Sequence, residues 1–335
     1  MRSTRRNRVR LVATMAVCGN LGIVDAWAQA KPAGAGQAYP VKPIRIVVGL
    51  AAGGVADVTV RLIGQKISEN LGQPVIVENR TGAGTSLAIE RVATSSADGY
   101  TLLLMGSSGT VQSALPRKLP YDVERDLAPI SLLSNAPYMF VVHPSMPARN
   151  IKELIALARA QPGKLNFGSN GVGSTSHLAG ALFNLMAEVK MVDVPYKGGT
   201  ENVVAAASGH VAFSFTGVPT ALPLINSGKL RALAVTSPKR VSFLPQMPTV
   251  DESGLPGYAI VPWYGLSAPA GVSKDIIMLL STLAGKTFNT PEVKATLSRQ
   301  GIEVQTNSPQ EFAAFIHSEI EKNTKLLKAS GVKSE

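Results

Sequence analysis

Apolar residues along this chain fall into two alternating patterns, short continuous runs and longer segments with helical spacing. Ile44–Leu50 reads as a buried strand, and Asp57–Leu71 reads as a helix with Val60, Ile63, Ile67 and Leu71 on one face. Gly72 closes that helix. Val75–Val77 and Thr101–Met105 are the next strands, with a helix through Ala88 and Val92 between them. The pattern restarts at Asn150, which with Glu153 forms a capping box for a helix carrying Ile151, Leu154, Ile155 and Ala158. Further strands are expected at Leu165–Phe167, Met191–Val194, Val211–Phe215, Leu230–Val235 and Trp263–Ala268. Helices are expected at Ser176–Met186, near 200–207 and 219–227, and at 273–288 and 291–300. A last helix opens at Ser308-Pro309-Gln310-Glu311, another capping box with proline in its first turn.

Strand–helix alternation of this kind builds an α/β fold. It occurs here in two stretches followed by a helix-rich tail, which predicts two lobes, each a mostly parallel sheet flanked by helices. The extended runs at 129–142 and 258–268 have the length to cross between lobes and act as a hinge, with a ligand site between. The expected division is 41–138 plus 263–335 for the first lobe and 139–262 for the second.

Charge first suggests nucleic acid, because 33 Lys and Arg stand against 22 Asp and Glu. Arg2, Arg5, Arg6, Arg8 and Arg10 concentrate that excess at the N-terminus. An apolar stretch (11–24) follows, and then Ala26-Trp27-Ala28, the order of a secretory signal peptide. Residues 1–28 are therefore expected to be removed, with Ala28-Gln29-Ala30 as a second cleavage frame, and 29–40 to be a mobile leader. Arg5-Arg6 as a twin-Arg signal and Cys18 as a lipid acceptor are weaker readings of the same segment. Aromatic residues are only 5% of the chain, too few for a stacking platform on nucleic acid. Cys18 is the one cysteine, so the mature chain has no disulfide and no cysteine-based zinc site. A periplasmic location and no nucleic-acid partner are expected.

Candidate chemistry sits in glycine and hydroxyl loops that follow strands. The first is Leu50-Ala51-Ala52-Gly53-Gly54-Val55-Ala56-Asp57, where paired glycines let a ligand approach the backbone at a helix start that attracts anions. Asp57 reads most simply as a helix cap, with ligand contact as the alternative. The second is Ser169-Asn170-Gly171-Val172-Gly173-Ser174-Thr175-Ser176-His177, where Ser174 and Thr175 either bind an anion or cap the helix. His177 fits a neutral structural role better than ligand contact. The third is Tyr196-Lys197-Gly198-Gly199-Thr200; 81–85 and 106–110 are weaker versions. None has nucleotide-loop spacing, His143, His177, His210 and His317 are not at metal-ligand spacing, and no Ser/His/Asp pattern stands out. Donors without a base, metal or cofactor motif describe binding rather than turnover.

The ordered blocks go further. YPVKPIRIVV at 39–48, Gly53-Gly54-x-x-Asp57, GQPVIVENRTGAG at 72–84, DGYTLL at 98–103, VPYKGG at 194–199, GKLRALAVTS at 228–237 and WYGLSAPAG at 263–271 resemble the Bug family. These are the TctC-like extracytoplasmic solute receptors of tripartite tricarboxylate transporters, and the resemblance runs from about Tyr39 to the end. It implies a type II-like periplasmic binding fold, capture of a small organic carboxylate, no cofactor and no catalysis. It also implies a membrane permease as partner; the receptor itself is expected to be a monomer. Matching positions carry over Gly53, Gly54 and Asp57, then Ser174 and Thr175 as the carboxylate-holding helix start, and Gly199. With neighbours in the same loops, the expected ligand-contacting set is Leu50, Gly53, Gly54, Ala56, Asp57, Ser107, Ser169, Gly173, Ser174, Thr175, Gly199, Thr200 and Thr216. Gly49-Leu50 stands where the family usually has Pro-Phe, and Ala52 where proline is usual, so the first loop is expected to lack an aromatic wall. Thr216 stands where many members have Asp, which weakens any case for a ligand amine. The competing readings are an exported hydrolase or transferase on the same fold, and a basic envelope-binding protein.

Overall fold

The computed structural model describes residues 39–331. The expected signal peptide, its cleavage site and nearly all of the leader lie outside these residues. The chain begins with β1 (Ile44–Val48), α1 (Val55–Leu71), β2 (Val75–Asn79), α2 (Ser86–Ala93), β3 (Thr101–Gly106), α3 (Ser107–Ala114) and β4 (Leu127–Asn135). It continues through β5 (Met139–Val142), α4 (Ile151–Ala160), β6 (Asn166–Ser169), α5 (Thr175–Ala187), β7 (Val192–Pro195), α6 (Gly199–Ala207), β8 (Phe213–Thr216), α7 (Val218–Asn226) and β9 (Arg231–Val235). It then returns through β10 (Trp263–Pro269), α8 (Lys274–Phe288), α9 (Pro291–Ser298), β11 (Glu303–Val304) and α10 (Pro309–Ser330).

Two sheets result, with strand orders β11-β4-β10-β3-β1-β2 and β7-β6-β8-β5-β9. Parallel pairing is confined to β2-β1-β3 and β7-β6-β8, the strands reached through βα units. The expectation of mostly parallel sheets is corrected at the crossings. β5 is antiparallel to β8 and β9, and β10 is antiparallel to β3 and β4. The reason is geometric: a strand arriving from the other lobe starts at the edge where the βα strands end, so it runs against them.

The lobes are filled differently. Ile44, Ile46, Val60, Ile63 and Ile67 are fully buried in an aliphatic core, on the α1 face that the spacing predicts. The second sheet is covered by phenylalanines: Phe140 stacks on Phe213 at 4.6 Å and meets Phe215 edge-on at 4.8 Å. Each such buried ring contributes roughly 1.5–3 kcal/mol from burial alone. α10 spans both cores. Phe312 and Ile316 pack with Trp263 in the first lobe, whereas Leu327 joins the phenylalanine core of the second. α3 is the element that apolar spacing misses. Its sequence is polar and glycine-rich, yet Ser107 through Gln112 are all buried, because it is wedged between the lobes.

Candidate functional site

The two crossings pass at 136–138 and just before Trp263, where Ala136 N–H donates to Pro262 O at 2.8 Å. Across the cleft, Thr175 shares hydrogen bonds with Ser107 Oγ at 2.7 Å and Ser108 Oγ at 3.2 Å, and its N–H donates to Ser108 Oγ. Gln112 Nε2 donates to Gly84 O and Val172 O, tying the second-lobe loop to the first lobe. Gly173 makes that approach possible. Its φ is +74°, and a Cβ there would fall 2.5 Å from Gln112 Nε2 and 2.7 Å from Leu115. Thr200 Oγ1 donates to Ala52 O, a further tie between the lobes.

Two adjoining cavities of about 20 and 40 Å³ remain between the lobes. A single water needs about 10–15 Å³ by this measure, so there is room for a few waters and not for an organic acid. The first is lined by Gly49, Thr85, Ala88, Ile89, Ser107 and Ser108, the second by Gly54, Val55, Gly199, Thr200, Thr216, Gly217 and Thr220. Leu50, Ala56, Tyr138, Asn170 and Tyr264 line both. No Asp, Glu, Lys or Arg is among the lining residues.

The helix starts separate into two groups. α4, α5, α8, α9 and α10 are capped by Asn150, Ser174, Ser273, Thr290 and Ser308, each accepting from a first-turn N–H. α1, α2, α3, α6 and α7 begin at Gly54, Thr85, Gly106, Gly198 and Gly217 with no side-chain cap. The first turn of each uncapped helix, or its cap residue, lines the cavities, whereas none of the five capping side chains does. First-turn N–H groups have no acceptor inside a helix, and the helix dipole makes that end positive. Five such ends on an uncharged cleft have the chemistry to hold an anion through backbone N–H groups.

Of the sequence candidates, Leu50, Gly54, Ala56, Ser107, Gly199, Thr200 and Thr216 line the cavities. Gly53, Asp57, Ser169, Gly173, Ser174 and Thr175 lie behind or beside them. Asp57 Oδ2 accepts from Gly53 N–H at 3.2 Å and Arg61 Nε at 2.9 Å. Burial pushes its carboxyl pKa up, but Arg61, the Gly53 N–H and Asn79 outweigh that and hold it below the usual value. Ser169 Oγ donates to Asp193 Oδ2, and Ser174 caps α5 through His177 N–H at 3.2 Å. His177 Nδ1 accepts from Gly173 N–H, and burial lowers its pKa, so the ring is neutral. Lys197 is exposed, beside Arg117, at a separate opening near the mouth of the cleft.

Thr85, Ser108 and Asn170 fall in loops that the sequence singles out but not in the expected contact set, and sequence reasoning missed Tyr138, Thr220 and Tyr264 altogether. Tyr138 and Tyr264 supply the aromatic wall that the first loop lacks, from the two crossings rather than from a βα loop. The runs at 129–142 and 258–268 held that signal, because residues at a hinge face the cleft. Asn202 Nδ2 donates to Asn170 Oδ1 at 3.2 Å, fixing the Asn170 amide with its NH2 end free.

Two lobes joined by two crossings, with uncapped helix ends on an uncharged cleft, define a solute-binding protein of the two-lobed kind. The chain belongs to the TctC family: the model described as tripartite tricarboxylate transporter family receptor matches residues 59–332. Protein BugT of Bordetella pertussis is 35% identical over 329 residues, covering 98% of this chain and 99% of that protein. The structure described as R. palustris Rpa4515 with adipate has a TM-score of 0.85 at 32% identity and covers 88% of this chain and 99% of that one. MatC (Rpa3494) from Rhodopseudomonas palustris with bound malate has a TM-score of 0.81 at 29% identity and covers 86% of this chain and all of that one. The family is one of transporter receptors, so this chain is a receptor and not the exported enzyme that was its rival reading. Among the described residues no helix is long and apolar enough to cross a membrane, and no group of three His, Cys, Asp or Glu could hold a metal.

Proposed function

We propose that this protein is exported to the periplasm, closes its two lobes on a small organic carboxylate and delivers it to the permease of a tripartite tricarboxylate-type transporter, working as a monomer. One observation carries the reading: uncapped helix starts line the cavities between the lobes, whereas none of the five capping side chains does. A carboxylate there accepts backbone N–H bonds and needs no counter-charge, which suits a receptor that must release its ligand. The cleft carries no acidic side chain for an amine, and Thr216 is paired with Thr220 at 2.6 Å. Adipate and malate in the related structures support the same ligand class. The cavities are too small for such acids, so both entry and occupancy require the lobes to stand further apart at the crossings than they do here, with the cavity linings as the walls the acid meets. Calorimetric titration with adipate, malate, succinate and citrate, beside an amine and a neutral sugar, tests the reading. Binding of an acid with a dissociation constant on the order of micromolar, about −8 kcal/mol, is expected. Binding of only the amine or the sugar would overturn it.

A further inference from the structure

Among the uncapped helices, α2 alone starts at a residue with a side chain. Thr85 has φ +84° and ψ −6°, a left-handed backbone that β-branched residues rarely adopt. Its N–H donates to Gly82 O at 3.0 Å, and Ser86, next in the chain, accepts from Tyr121 Oη at 2.8 Å, so the turn is held from both sides. The hydroxyl gives nothing back to the fold. It does not cap α2, and its Oγ1 is buried without a hydrogen-bond partner although the residue is only 8% exposed. Space for it comes from Gly49 at the end of β1: a Cβ on Gly49 would lie 2.6 Å from Thr85 Cβ and 3.0 Å from Cγ2. Thr85 lines the first-lobe cavity beside Ser107 and Ser108. A strained backbone and an unsatisfied hydroxyl at one cavity-lining residue are two costs that no contact within the fold offsets, a combination that belongs to binding sites.

We propose that Thr85 is a specificity-determining residue: its hydroxyl donates a hydrogen bond to an oxygen of the bound organic acid in the first-lobe cavity. The inference rests on the carboxylate reading above and adds a selection rule to it. Thr85, Ser107 and Ser108 line the first cavity, Thr200, Thr216 and Thr220 the second, and Leu50, Ala56, Tyr138, Asn170 and Tyr264 line both. An acid with oxygens at both ends satisfies Thr85 at one end and the α6 start at the other. A monoacid of equal length leaves the Thr85 hydroxyl stranded beside a methyl group, and sites built to bond a polar group reject analogues that lack it.

The test is titration of the wild type, Thr85→Ala and Thr85→Ser with adipate, malate and hexanoate, beside melting of each ligand-free protein. Thr85→Ala is expected to weaken diacid binding about tenfold, the loss of one charge-assisted hydrogen bond, and to narrow the adipate–hexanoate gap by the same factor. Thr85→Ser keeps the hydroxyl and is expected to keep the gap. Ligand-free Thr85→Ala loses the unsatisfied hydroxyl but keeps a side chain at positive φ and gives up a buried methyl, so it should melt close to the wild type. An unchanged gap in Thr85→Ala, with diacids still bound by the wild type, overturns the Thr85 role alone. A Thr85→Ala protein that melts lower and discriminates as before returns the residue to a structural role. A wild type that binds none of the acids overturns the carboxylate reading and the Thr85 role with it.

Discussion

The helix starts that line the cavities and those that do not follow opposite rules. At Ser308 the cap is complete: its Oγ accepts from Glu311 N–H, and the Glu311 carboxylate accepts from Ser308 N–H at 2.8 Å. At Gly54, Gly106, Gly198 and Gly217 no side chain takes that place. A missing cap costs about 0.5–2 kcal/mol per helix relative to Ser or Asn, or only a few tenths when glycine stands there. Glycine therefore leaves the N–H groups free at the smallest cost to folding. The difference teaches where stability was given up so that something else could bind.

The largest expected break in that contrast is a cap placed inside the cleft. Gly54 has φ −94°, and a Cβ there would meet nothing within 4 Å, so Gly54→Asp fits. Its carboxylate should satisfy the α1 amides and leave the apo melting temperature equal or higher. It should also weaken acid binding by about a hundredfold or more through like-charge repulsion. Calorimetry beside apo melts checks both. Next come two neighbours, Ser174 and Thr175. Thr175→Ala removes bonds to Ser107 and Ser108 that exist only while the lobes are together, and should weaken binding about tenfold. Ser174→Ala removes a cap instead, costing about 1 kcal/mol of apo stability with affinity close to wild type. A reversed pattern in titration and melting would mean that Ser174, not Thr175, serves the ligand.

Outside the cleft, Ser308→Ala should cost about 1 kcal/mol, roughly 2 °C in melting temperature, with no change in affinity. The smallest effect belongs to Asp57. Its folded pKa lies below the unfolded value of about 3.9, so its contribution is present above that pH and lost as pH falls through the folded value. Arg61 is more than half exposed, so solvent screening keeps the effect under about 1 kcal/mol. Acid titration below about pH 4 should show Asp57→Asn losing less stability than wild type. Identical acid limbs would mean the Arg61 pair contributes nothing.

Strand and helix order was legible in the sequence because period and caps are local signals: α1 presents Val60, Ile63 and Ile67, and α10 starts at its capping box. α3 was not, because a helix buried on all sides with Ser, Gly and Thr has no apolar stripe to read. Strand direction at β5 and β10 depends on which lobe the chain arrives from, which no local pattern encodes. The cleft was half legible. Glycine loops announce Gly54 and Gly199, but Tyr138 and Tyr264 reach it from crossings, and Thr85 stands out only through its backbone conformation and unpartnered hydroxyl. Ser174 and Thr175 look alike in sequence, and only the packed lobes separate a cap from a cross-cleft contact.

Free backbone N–H groups that hold the anion at the cleft should report it themselves in amide NMR during titration with a bound diacid. First-turn amides of α1, α3 and α6, at Ala56, Ser108 and Thr200, are expected to move downfield together and saturate at one dissociation constant. Those at the capped starts of α4, α8 and α10 should stay in place. Saturating ligand with the Ala56, Ser108 and Thr200 amides unmoved would contradict the account.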